Sequence, residues 1–190
     1  MNIGNITEWI SALSALVSAV VGIVLLFQIA LAKKQLYNSI NWNKINATFT
    51  YLTDAVIMER ERATAESLKK IDIDLYSRRE PVSEQQANSI LHDTNTNREV
   101  KDFLNVFEGY ATAINSGAID ENLAYHLRAD RFIRHFEIFK SFINASRNQL
   151  QNEMYWIEME RIYRKWKPRR QKEREEAELE REKRATEKKY

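Results

Sequence analysis

The chain has 190 residues, with 29 Lys or Arg against 27 Asp or Glu, four Gly, two Pro and no Cys. A formal net charge of only +2 excludes the profile of a protein whose main task is coating duplex nucleic acid. The absence of Cys excludes structural disulfides and Cys-based zinc or redox sites, and so little Gly and Pro predicts long helices.

The first element is the run from Trp9 to Ala32, which contains no Asp, Glu, Lys or Arg. As a helix it reaches about 36 Å, enough to cross a hydrocarbon core of about 30 Å with some tilt. A backbone in lipid must satisfy its own hydrogen bonds, so a lone apolar run crosses as a helix. The expectation is one transmembrane helix over residues 9–32, after a short extracytoplasmic segment, residues 1–8. A cleaved signal peptide is the rival reading, suggested by Ala30-Leu31-Ala32. Against it, the run is long for a signal and no Lys or Arg precedes it. Lys33, Lys34 and Lys44 follow the run, which orients the chain in the cell membrane with its N-terminus outside and the rest cytoplasmic.

Ser14, Ser18 and Gly22 recur every four residues, as do Ser11, Ala15 and Ala19. Small residues at that spacing let membrane helices approach closely, and the reading is self-association. The alternative is the ordinary abundance of such residues in spans.

Residues 33–167 read as a cytoplasmic helical domain. No Gly or Pro falls between Lys33 and Leu75, so the first helix is expected to run on past the membrane. Trp42, Ile45, Phe49, Leu52 and Val56 form a seam of three-four spacing. It pairs either with another subunit or with this chain's own core; two heptads are short for a coiled coil, which favours the core. Tyr76 to Pro81 reads as a break. Ser83 and Gln86 form a capping-box pattern opening a short helix to about Leu91, and after the polar linker His92–Asn97, Thr96 and Glu99 offer a second box.

Val100, Phe103, Leu104, Phe107, Tyr110, Ala111 and Ile114 share one helical face, ended by Ser116-Gly117. Asp120 is placed to cap a short helix, and Asp130 the next, whose stripe Phe132, Phe136, Phe139 and Ile143 is widened by His135 and Phe142. Such aromatics at helical spacing belong to a core. Apolar residues persist from Met154 to Trp166, and Pro168 is expected to interrupt. Residues 168–190 are a charged tail, helical or disordered, with no apolar stripe to bury. The fold class is therefore all-α, a single transmembrane helix continuing into a helical bundle.

The segment Leu104-Asn105-Val106-Phe107-Glu108, followed by Gly117-Ala118-Ile119-Asp120, resembles an uncharacterised family of bacterial and phage single-span membrane proteins, the domain of unknown function 4760 type. The resemblance covers about Trp42 to Arg147 and leaves the tail outside. It implies an all-helical fold and a membrane location, and it brings no activity.

Asn105 and Glu108 flank the apolar face of their helix, placed for a polar contact with Arg128 or Arg131 or for a ligand. His92, His126 and His135 form no His-x-x-x-His or Glu-x-x-His pair, so no metal site is expected. No nucleophile elbow, phosphate loop or dinucleotide fingerprint occurs, so no enzyme activity and no cofactor are expected.

The basic aromatic stretch from Tyr155 to Arg170 is the best binding surface. Arg161, Arg164, Lys165, Trp166, Lys167, Arg169 and Arg170 suit anionic lipid headgroups, or the phosphates and bases of a nucleotide or single strand. Alternatively, Tyr155, Met159, Ile162 and Trp166 pack on the bundle while the basic residues are solvated.

The expected function is a membrane-anchored, non-enzymatic scaffold or effector that self-associates through its span and engages a cytoplasmic protein or nucleotide. The alternatives are a nucleotide-gated membrane effector of bacterial antiviral defence and a phage exclusion or lysis accessory protein. The expected partners are the lipid bilayer and further copies of the chain.

Overall fold

The structure is a computed structural model that describes residues 3–51, 54–77 and 80–187. Among them are six helices and no strand: α1 (Ile3–Tyr51), α2 (Asp54–Lys69), α3 (Glu84–His92), α4 (Thr94–Asn115), α5 (Glu121–Leu150) and α6 (Ile157–Glu187). The protein is all-α. It divides into two compact units, Met1–Lys44 and Ile45–Tyr190.

The first unit is most of α1, and from Trp9 onward its large apolar side chains are exposed. Leu26 is 70% exposed and Phe27 66%. Among the described residues, α1 belongs to the one stretch long and apolar enough to cross a membrane.

The second unit is a helical bundle. Helix α4 packs against α2 and α6, and α5 against α3 and α6. The periodic faces read from the sequence meet in one core: Phe103, Leu104 and Phe107 of α4 lie with Phe132, Phe136, Phe139, Phe142 and Ile143 of α5, all buried. Edge-to-face contacts such as Phe103 on Phe107 (5.1 Å) and Phe107 on Phe132 (5.5 Å) order these rings. Ser83 caps α3 with the full reciprocal box, its hydroxyl accepting from Gln86 N while Gln86 Oε1 accepts from Ser83 N. Asp120 caps α5 by accepting from Leu123 N, and Gly117 takes a φ of 72°, which a side chain would resist.

The first helix runs on past Ala32 to Tyr51, as expected; α2 then stops at Lys69, and Asp72 adopts the left-handed conformation (φ 60°) that turns the chain without Gly. Several other expectations are corrected. The cap of α4 is Asp93, which accepts from Thr96 N, and no linker separates α3 from α4. Thr96 lies inside α4, buried, with its hydroxyl donating to Ser67 O. Asp130 caps nothing, because α5 runs unbroken from Glu121 to Leu150. Pro168 does not interrupt either: it sits inside α6 at an exposed position, where water can serve the Arg164 carbonyl that a Pro cannot reach.

The seam is also reversed. Trp42, Ile45, Phe49 and Val56 are all exposed, and Leu52 lies outside the described residues. The face of α1 that packs in the second unit carries Ala47 and Thr48 instead; Thr48 is fully buried and its Oγ1 accepts from Asp120 N at 2.8 Å.

Candidate functional site

Helix α6 is built onto the bundle by buried anchors and by charge. Trp156, Met159, Ile162 and Trp166 are buried. The Leu104-Asn105-x-x-Glu108 segment explains how they are held. Asn105 Oδ1 accepts from Trp156 Nε1 at 3.0 Å, while Glu108 accepts from Glu158 N (3.1 Å) and Met159 N (2.8 Å). Glu108 thus satisfies two amides at the start of α6 that have no partner within that helix. Burial holds its carboxyl above the ordinary value, against the opposing pull of those amide bonds. The contact expected with Arg128 or Arg131 is therefore made with α6 instead. From α5, Arg147 adds bonds to Tyr155 O (2.8 Å) and Glu160 Oε2 (2.7 Å). Trp156 has a φ of 57°, unusual for a bulky residue, and is pinned there by Asn105 and by packing on Phe142.

The basic residues of α6 lie among carboxylates. Arg161 pairs with Glu158, and Arg164 with Glu160. Lys165 reaches Glu121 Oε2 at 2.6 Å, and the same carboxylate accepts from Trp166 Nε1 at 3.2 Å. Lys167 lies 2.7 Å from Glu137 and is held charged by it and by the Tyr163 hydroxyl. Arg169 stacks on the Tyr125 ring at 3.8 Å and bonds Glu173, while Arg170 forks onto Asp130 and also reaches Glu173. Arg174 joins Asp130 at 2.8 Å, a contact absent from the sequence reading. Hydrogen bonds from Arg170 and Arg174 hold the Asp130 carboxyl below its usual range; bonding to the Tyr125 hydroxyl, then to Arg170 and Arg169, does the same for Glu173. The start of the charged tail is thus docked on α5 by ion pairs, hydrogen bonds and the Arg169–Tyr125 stack.

Two adjoining hollows open between α5 and α6. One, of about 370 Å³, is lined by Asp130, Arg134, Glu137, Lys167, Arg170 and Arg174 among others. The other, about 400 Å³, shares Arg134, Glu137 and Lys167 and adds Pro81, Lys140 and Tyr163. Lys167 and Arg170 of the sequence candidates come together here. Arg161 and Lys165 do not line either hollow, and Trp166 is core. Arg134, Lys140 and Arg174 were missed; Arg134 and Lys140 lie less than two turns apart on a helix whose aromatic stripe drew the reading inward.

Ser14 and Ser18 are exposed on α1, and an added side-chain carbon at Gly22 would meet nothing within 4 Å. His135 is buried, T-shaped on Phe103 at 4.9 Å, with Nε2 3.5 Å from Glu61 Oε1. Arg131 bonds the same carboxylate. Among the described residues no group of three His, Asp or Glu is arranged to hold a metal ion.

No curated protein and no solved structure matches this chain. A family match does cover residues 10–166, taking in the apolar helix, the bundle and α6 as far as Trp166. The chain belongs to that family, described as "Domain of unknown function (DUF4760)".

Proposed function

We propose that this protein is a membrane-anchored, non-enzymatic helical effector that self-associates through residues 9–32 and engages a partner in the cytoplasm. The supporting observation is the apolar surface of α1, whose large apolar side chains from Trp9 to Leu31 are exposed. Exposed apolar surface of that extent needs lipid or another protein against it. Lys33 and Lys34 at its far end orient the bundle towards the cytoplasm. Ser14, Ser18 and Gly22 offer a line of close approach between copies, and exposed Ile45, Phe49 and Val56 in the second unit add surface for the same assembly.

The test is the mass of the complex in mild detergent. Wild type is expected to run as an oligomer, and Ser14→Leu, Ser18→Leu and Gly22→Leu combined are expected to reduce it. An unchanged mass would reject that face; recovery of the untreated protein in the aqueous fraction after lysis would reject the anchor.

A second reading is favoured by the cation-rich hollows between α5 and α6. There, a nucleotide signal would gate the assembled spans, as in a membrane effector of bacterial antiviral defence.

A further inference from the structure

The two hollows between α5 and α6 differ in chemistry. The Asp130 lobe carries Arg170 and Arg174, with Arg134 and Lys167 at the waist it shares with its neighbour. With Lys140, five cationic side chains line the two hollows together with the carboxylates Asp130 and Glu137, and Glu173 reaches Arg170 as well. The second lobe is walled by Pro81 and by Tyr163, whose ring is held rigid by stacking on Phe136 at 4.3 Å. Ser141 also lines that lobe and adds a hydroxyl.

We infer that this cleft binds a nucleotide, with its phosphates against Arg134, Arg170 and Arg174 and its base in the Pro81–Tyr163 lobe. The guanidinium groups match phosphate oxygens in fork geometry. For two of them Asp130 now stands in for the ligand: it holds both Arg170 and Arg174, each through hydrogen bonds a phosphate can replace, while Arg134 donates to the Leu75 and Tyr76 carbonyls. Lys167, between Glu137 and the Tyr163 hydroxyl, sits where phosphate and base portions would join. Glu137 and Ser141 supply an acceptor and a hydroxyl for the polar edge of a base. The combined space of roughly two hollows, about 370 and 400 Å³, suits a ligand of nucleotide size.

The inference deepens the ligand-gated reading by naming its site, and it needs no oligomer. It is tested on full-length protein in neutral detergent by titration calorimetry with ATP, GTP, CTP, UTP, inorganic tripolyphosphate and dihexanoyl-phosphatidylglycerol. At least one nucleoside triphosphate is expected to saturate, with tripolyphosphate about tenfold weaker or more. Arg134→Gln and Arg174→Gln are each expected to weaken binding about tenfold, the worth of one charge-assisted contact, while Lys172→Gln, outside the cleft, changes nothing. Arg174 is exposed, so its variant is informative even where Arg134→Gln loosens the fold. The inference is overturned if no nucleoside triphosphate binds, if tripolyphosphate binds as tightly as the nucleotides, if both Arg variants bind like wild type, or if only the phospholipid saturates. Oligomer mass without ligand judges the membrane reading separately.

Discussion

His135 gives the bundle a specific weakness to acid. Its ring lies between Phe103 and Phe107, and its Nδ1 is buried without a hydrogen-bond partner. Burial, with help from the charges of Arg131 and Arg134, pushes its pKa from 6.5 down to about 3. The Glu61 carboxylate of α2 lies 3.5 Å from Nε2, but it is already engaged by Arg131. Burial therefore wins and the folded state holds the ring neutral. Between those pKa values the unfolded chain binds the extra proton, so stability is complete above pH 6.5 and is lost as pH falls towards 3. At about 1.4 kcal/mol per pH unit, the loss by pH 5 is about 2 kcal/mol, or roughly 4–8 °C in Tm for a domain of this size.

The perturbation is His135→Phe, which keeps a ring against Phe103 and removes both the proton and the unpartnered nitrogen. Thermal unfolding of full-length protein in neutral detergent, followed by circular dichroism at pH 7.5 and pH 5, reads the effect. The variant is expected to lose about 2 kcal/mol less than wild type over that interval. Equal losses in the two proteins would refute the argument that His135 is neutral by burial.

Other expectations follow from the packing of α6 and the caps. Glu108→Ala leaves two amides at the start of α6 unserved and should cost about 2 kcal/mol, with Trp156 fluorescence moving towards that of a solvated indole; an unchanged spectrum and Tm would contradict the docking role. Arg147→Met removes the bonds to Tyr155 O and Glu160, leaving the largely buried Glu160 carboxylate to Arg164 alone, and should cost about 1–3 kcal/mol in a denaturant titration. Ser83→Ala breaks the reciprocal cap of α3 and should cost about 1 kcal/mol. Asp130→Asn acts at a half-exposed surface pair, so Tm should barely move, while nucleotide binding strengthens as a competing carboxylate is lost.

The local rules read from the chain worked where the deciding partners lie within a few residues. Ser83 and Gln86 are neighbours on one turn, Gly117 sits at a helix end, and the α4 and α5 stripes repeat at helical spacing. They failed where two local solutions compete. Asp93 and Thr96 both suit a cap, and the Asp is chosen because Thr96 is drawn into contact with Ser67 O. Pro168 is a breaker by itself, yet Trp166 is buried on one side of it and Arg170 is paired on the other. The Trp42–Val56 seam was apolar as read, but periodicity names a face without naming what covers it.

Composition and order alone determined the helical class, the unbroken apolar run of Trp9–Ala32 and the inward faces of α4 and α5, because each depends on backbone sterics and on spacing along one helix. Tertiary structure alone decided that Asn105 and Glu108 hold α6, that Thr48 rather than Phe49 turns inward, and that Arg134 and Lys140 meet Lys167, Arg170 and Arg174 in one cleft. Those pairings join residues tens of positions apart. Which cation meets which carboxylate depends on how two helices cross, and no spacing within either helix carries that information.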